Sequence, residues 1–230
     1  MKKIFTLIAV AAMAISANAQ GTYALQGEKD VTGPAIAAGT KITSVENMIM
    51  TFGDGGADFK GAKYDSKLKD LLGATGFTEG NGTNGNKENG TIYYFEPAKD
   101  GVLTVGVVVN ADKTIIVKKD NYSGEDVAFK MMQSDGTTEV TVTDGTIAAK
   151  TYGAIILDVN AGNKYAIGLA GSKMGFYGFK YELSGSSTAI NTVKAAEAAA
   201  DGAAYNLAGQ KVNAGYKGLV IKNGKKVIVK

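Results

Sequence analysis

Residues 80 to 95 read GNGTNGNKENGTIYYF, a polar stretch of glycine and asparagine set directly against a β-branched and aromatic run. Asn81, Asn84, Asn86 and Asn89 each carry a carboxamide that both donates and accepts hydrogen bonds, as sugar hydroxyls require, and Gly82, Gly85 and Gly90 let backbone approach a ligand closely. The same composition also serves a plain chain reversal, in which Asn and Gly supply left-handed backbone and bind nothing. Both readings stand: a binding loop, or a long hairpin-like connection.

A sugar ring further needs a flat apolar face, and with no tryptophan in the chain that face must come from tyrosine or phenylalanine. In GSKMGFYGFKYEL (residues 171–183), alternation puts Phe176 with Lys180 and Glu182, away from Tyr177, Phe179 and Tyr181. Tyr94 shares a face with Glu96, and Tyr122 sits in the polar turn DNYSGED. A single exposed aromatic is common and need bind nothing. The expected site has Phe176 as stacking face, Tyr94 as a second aromatic, and Asn84, Asn86 and Lys173 as hydrogen-bonding groups.

Other chemistry is thinly represented. FGDGGADFKG sets Asp54 and Asp58 in a glycine-rich loop able to wrap a structural calcium ion, although the full D-x-D-x-D-G spacing is missing. Asp120, Glu125 and Asp126 in DNYSGED are a weaker case. No cofactor is expected beyond that calcium. Carboxylates are plentiful, yet no spacing singles out a pair for glycosidic chemistry, and Ser172 and Lys173 are adjacent instead of S-x-x-K. The chain has no arginine, histidine or cysteine. Those absences argue against nucleic-acid recognition, zinc chemistry, histidine-based triads and disulfides, so the expectation is a protein without catalysis and without a nucleic-acid partner.

The elements that must hold these residues are strands. VLTVGVVV (102–109) puts Leu103, Val105, Val107 and Val109 on one face, GAIILDV (153–159) does so with Ile155, Leu157 and Val159, and KYAIGLA (164–170) with Tyr165, Ile167 and Leu169. Turn signals separate the runs: PAKDG, NADK, SDGT and NAGNK. Many half-buried strands without helical crossovers predict an all-β fold, an antiparallel two-sheet sandwich of jelly-roll type. One short helix is predicted in SKLKDLLGA (66–74), with Ser66 as cap, a stripe of Leu68, Leu71 and Leu72, and Gly73 as stop, covering a sheet edge or end.

The ends have their own character. Residues 1–19 carry Lys2 and Lys3, an apolar run and an Ala17-Asn18-Ala19 site, the pattern of a secretory signal peptide cleaved before Gln20. The apolar run is shorter than the roughly 20 residues of a membrane span, so no transmembrane segment is expected in the mature chain. Residues 20–185 suffice for one packed domain, 186–203 form an alanine-rich linker, and 204–230 are a separate segment. That last segment holds six lysines and no acid, leaving 17 lysines against 22 acids between it and residue 19. In GLVIKNGKKVIVK, Asn223 and Gly224 supply a type I′ turn that predicts a hairpin pairing Lys222 with Lys225 and Val220 with Val227.

Two resemblances follow. AAYNLAGQKVNAGYKGLVIKNGKKVIVK, with its GQKV turn and lysine-rich end, resembles the C-terminal sorting segment of proteins exported by the type IX secretion route of Bacteroidetes-like bacteria, and implies the secretion machinery as a partner. GNGTNGNKENGTIYYFEPAKDGVLTVGVVVNADKTIIV followed by GSKMGFYGFKYEL is similar to β-sandwich modules that accompany pectate lyases and other secreted polysaccharide-degrading enzymes, over roughly residues 45–184. That resemblance implies a polysaccharide partner and a secreted, extracellular or cell-surface location. A structural or adhesive surface protein with no glycan ligand is the alternative.

Overall fold

The runs that alternate in sequence pair as antiparallel strands. A computed structural model describes residues 19–53, 58–80 and 92–184, and toward the C-terminus 204–205, 211–212, 217–222 and 225–229. The chain divides into two units, Met1–Ser186 and Ser187–Lys230. The first begins with β1 (Ala19–Ala24), β2 (Lys41–Ile42), β3 (Met48–Phe52), β4 (Lys63–Tyr64), helix α1 (Lys69–Leu72) and β5 (Gly76–Phe77). It continues through β6 (Tyr93–Pro97), β7 (Gly101–Val109), β8 (Lys113–Lys119), β9 (Lys130–Gln133) and β10 (Glu139–Val140). β11 (Thr146–Ile147), β12 (Thr151–Val159), β13 (Tyr165–Leu169) and β14 (Gly175–Leu183) complete it.

Two six-stranded sheets result, β1-β14-β7-β12-β9-β10 and β11-β8-β13-β6-β3-β2, with a small β4-β5 pair beside them. The predicted all-β sandwich is the observed fold. PAKDG and NADK are arches, not hairpin turns: they carry the chain from β6 in one sheet to β7 in the other and back to β8. NAGNK does the same between β12 and β13, whereas SDGT closes a true hairpin between β9 and β10. Each arch puts consecutive apolar faces toward one another. Leu103, Val105, Val107, Val109, Ile155, Leu157, Val159, Tyr165, Ile167 and Leu169 all enter one core, joined by Met50 and Phe52 of β3 and Tyr93 and Phe95 of β6. Each such burial contributes about 1.5–3 kcal/mol relative to exposure, and this core carries the stability of a chain that has no cysteine. Tyrosines at its rim keep their hydroxyls satisfied: Tyr181 donates to the Lys99 carbonyl at 2.5 Å, and Tyr165 accepts from the Asn160 amide at 2.8 Å.

One strand departs from simple alternation. The pairing of β14 with β7 shifts register between Phe176 and Gly178, a β-bulge. Phe176, Phe179 and Tyr181 therefore all face the main core, while Tyr177 turns to the outer face. The extra residue needs Gly178, at φ +140°, where a Cβ would lie 2.1 Å from the Tyr23 carbonyl oxygen of neighbouring β1. The expectation that Phe176 shares the face of Lys180 and Glu182 is thus corrected, because strict period two fails across a bulge.

The helix is shorter than predicted and covers a sheet face, not an edge or end. Leu68 and Leu72 pack with Tyr177, Ala24 and Val108 on the outside of the first sheet. The close approach is possible because residue 106 is glycine: a Cβ there would sit 2.3 Å from Leu72 Cδ1. Gly73 ends α1 in the left-handed conformation as expected, at φ +74°. Ser66 does not cap it with its side chain. Asp65 Oδ1 instead accepts the Lys67 amide at 2.8 Å in the turn before α1.

The second unit is a four-stranded sheet, β16-β15-β17-β18, formed by β15 (Ala204–Tyr205), β16 (Lys211–Val212), β17 (Gly218–Lys222) and β18 (Lys225–Val229). Lys222 pairs with Lys225 and Val220 with Val227, the register that the Asn223–Gly224 turn predicts. The unit is larger than a lone hairpin, since β15 pairs with both β16 and β17. No helix among the described residues is long and apolar enough to cross a membrane.

Candidate functional site

Asn84 and Asn86 lie outside the described residues, but the chain on either side of them does not. Leading in, Thr78 and Phe176 exchange backbone hydrogen bonds, 2.9 Å from the Thr78 amide and 2.8 Å from the Phe176 amide. Leading out, the Tyr93 hydroxyl donates to the Met174 carbonyl at 2.9 Å. The described chain on both sides of the Asn-Gly segment is therefore tied to the start of β14.

The aromatic part of that site is corrected. Phe176 is 0% exposed, stacked on Tyr93 at 4.7 Å between ring centroids and meeting Phe52 edge-on at 5.6 Å. Tyr94 is 2% exposed, packed with Ile92 and Ala166 beneath Tyr122, and the Lys164 ammonium lies 4.1 Å from its ring centroid. Neither ring offers a face to a ligand, because the bulge turns Phe176 inward and neighbouring side chains cover Tyr94. Lys173 is half-buried, and it lines a cleft. Of the calcium candidates, Asp54 lies outside the described residues, while Asp58 is exposed and accepts the Ala38 amide at 3.1 Å. Asp126 pairs with Lys118 at 2.7 Å. Among the described residues no three acids converge as metal ligands.

The cleft has a volume of about 160 Å³. Asp65 enters it from the turn before α1, Glu79 from the chain just past β5, and Asn110 from the arch between β7 and β8. Lys150 and Tyr152 come from the start of β12, Lys173 and Tyr177 from the start of β14. Phe77 stacks on Tyr177 at 5.5 Å and 25° and anchors it. The Tyr177 hydroxyl is buried without a hydrogen-bond partner. Burial first, then the charge of nearby Asp65 and a weak contact with it outside ordinary hydrogen-bond geometry, push this phenol well above its usual range. It stays a proton donor throughout the physiological range. Glu79 is engaged by Lys60 in an ion pair, and its charge, after burial, helps raise Tyr93. The Lys150 ammonium lies 5.1 Å from the Tyr152 ring centroid, and Lys67 approaches the same ring at 5.6 Å.

Larger hollows lie elsewhere, about 470 Å³ beside Asn47 and Lys164, about 710 Å³ beside Tyr122 and Phe129, and about 410 Å³ beside Lys130 and Glu139. None of these is lined by a residue with an unpartnered buried polar atom; among the described residues those atoms are Thr51 Oγ1 and the Tyr177 hydroxyl. The small cleft joins a residue with such an atom to a ring of amide, carboxylate and ammonium groups. Of these groups, sequence reasoning found only Lys173. Tyr152 was legible, since alternation from Ile155 sets it on the outer face, whereas Tyr177 was hidden by the bulge. No protein-family model matches the chain, and comparison with curated proteins finds no match.

Proposed function

We propose that this protein is an exported, non-catalytic β-sandwich module that holds a polysaccharide weakly in the cleft between α1 and the start of β14. The observation that carries the reading is the buried Tyr177 hydroxyl, which makes no ordinary hydrogen bond, on a side chain that lines a cleft with Asp65, Asn110 and Lys173. A donor left unpaired on folding carries a desolvation cost that a ligand hydroxyl relieves. Asn84 and Asn86, in the segment between Gly80 and Ile92, remain the proposed amides of the site. Export rests on the signal-peptide pattern; cleavage before Gln20 leaves Gly21–Ala24 of β1 paired with β14. Delivery by the secretion machinery rests on the resemblance of residues 204–230 to a sorting segment.

Contacts of this number leave about 4–6 kcal/mol after ordering costs, a Kd in the high micromolar to millimolar range. The test is a screen of the mature protein against neutral and acidic plant polysaccharides, with and without calcium. The reading expects a hit that Tyr177→Phe weakens. A second reading, a structural or adhesive surface protein without a glycan ligand, is favoured by the burial of Phe176 and Tyr94, which removes the expected stacking platform. Absence of binding to every glycan decides for it.

A further inference from the structure

We propose, building on the glycan-binding reading above, that the cleft takes a single terminal sugar residue carrying one negative charge, with the anionic group on Lys173 and ring hydroxyls on Tyr177 and Asn110. Size sets the first limit. The cleft's volume of about 160 Å³ lies below the ~300–1,000 Å³ of typical ligand sites, so a single ring suits it better than a run of rings. An internal stretch of polymer would leave most of its contacts outside.

Charge sets the second limit. Glu79 is already neutralised by Lys60, and one oxygen of Asp65 is occupied by the Lys67 amide. The Lys150 ammonium rests against the Tyr152 ring. Lys173 is half-buried, and among the described residues it has no ion pair. Among the charged groups that line the cleft, Lys150 and Lys173 balance Asp65 and Glu79, and because Glu79 is also held by Lys60, Lys173 is the lining cation with neither an ion pair nor a ring contact among the described residues. A half-buried lysine with no ion pair among the described residues favours an anion over a neutral ring. A lysine reads that anion as a point charge, so a uronate carboxylate and a sulfate ester are equivalent to it. Tyr177, held protonated and without a hydrogen bond of ordinary geometry, is the donor left for a hydroxyl or ring oxygen. With Phe176 sealed in the core, charge replaces stacking as the main source of selectivity.

Calorimetric or NMR titration of the mature protein with galacturonate, glucuronate, galactose 6-sulfate, galactose and acetate tests this. The expected result is binding of the charged sugars at least tenfold tighter than galactose, weakened several-fold between 20 and 200 mM NaCl. Lys173→Gln should erase that preference and Lys173→Arg should keep it; Tyr177→Phe should weaken charged and neutral sugars alike. Oligomers of galacturonate should bind no more than a few-fold tighter than the monomer. Equal binding of galactose and galacturonate, indifference to Lys173→Gln, or affinity climbing more than tenfold with chain length would each overturn this inference and leave the glycan-binding reading intact. Acetate binding as tightly as galacturonate would overturn it too, by showing a carboxylate site that reads no sugar. Failure of every mono-, oligo- and polysaccharide to bind overturns both.

Discussion

Replacing Gly178 by alanine tests whether the bulge in β14 is imposed by the packing of β1 against it. At φ +140° an L-residue is strained, and its Cβ would stand 2.1 Å from the Tyr23 carbonyl oxygen and 2.9 Å from Ala24 Cα, both backbone atoms that no rotamer change can move aside. Backbone strain of this kind costs about 1–3 kcal/mol and forced overpacking about 1–3 kcal/mol more, so Gly178→Ala should lose about 3–5 kcal/mol. The control is Gly162→Ala in the exposed arch between β12 and β13, where φ is +76° and no atom lies within 4 Å of the added Cβ. Backbone strain alone should cost it about 1 kcal/mol. For a domain of this size each kcal/mol moves Tm by about 2–4 °C, so thermal melts of the mature protein should fall by about 10 °C for Gly178→Ala and about 3 °C for Gly162→Ala. Urea midpoints should rank the same way. Equal losses for the two variants would refute the argument, since they would mean β1 yields freely and the inward turn of Phe176 is not enforced there.

Three further outcomes are expected. Tyr177→Phe removes a buried hydroxyl that has no partner, so stability measured by urea unfolding should hold or rise by up to about 1 kcal/mol while glycan binding falls; a clear loss of stability would place a hydrogen bond on that oxygen. Asp135 is held at about 2 instead of 3.8 by the Thr138 hydroxyl and the Thr138 and Thr137 amides. Its folded value is depressed, so its contribution is present above pH 4 and lost as pH falls toward 2; carboxylate NMR should show that midpoint, and Asp135→Asn should flatten the acid limb of stability over this window. Deleting residues 204–230 should leave a cooperatively melting first unit while stopping export in the native host, as secretion assays and melts would show; normal export would remove the sorting role, and loss of the melting transition would make the tail part of the fold.

Where side-chain alternation is unbroken, local order was sufficient. β7, β12 and β13 bury the residues their period-two pattern marks, because a pleated strand can hide only one face at a time. The hairpin of β17 and β18 has the register that Asn223 and Gly224 predict, for an equally local reason. Gly73 stops α1 because left-handed backbone suits glycine wherever the helix lies. Absences were legible as well: a chain with no histidine, arginine or cysteine is denied whole classes of chemistry whatever its fold.

The cleft was a different matter. Asp65, Glu79, Asn110, Lys150 and Tyr177 are scattered over more than a hundred positions, and only the crossing of chain between two sheets brings them together. Arches and hairpin turns share the same Pro, Asp, Asn and Gly residues, so the sequence could not say which turns change sheet. Nor could it show the bulge, where the Tyr23 backbone lies against Gly178, some 155 residues away along the chain. Strict alternation therefore points Phe176 outward, and in the protein it lies inward. What the sequence determined by itself was the set of strands and their apolar faces, which follow from the geometry of neighbouring residues. Tertiary structure decided which polar groups meet and which aromatic rings stay exposed, because those depend on distant backbone competing for the same space.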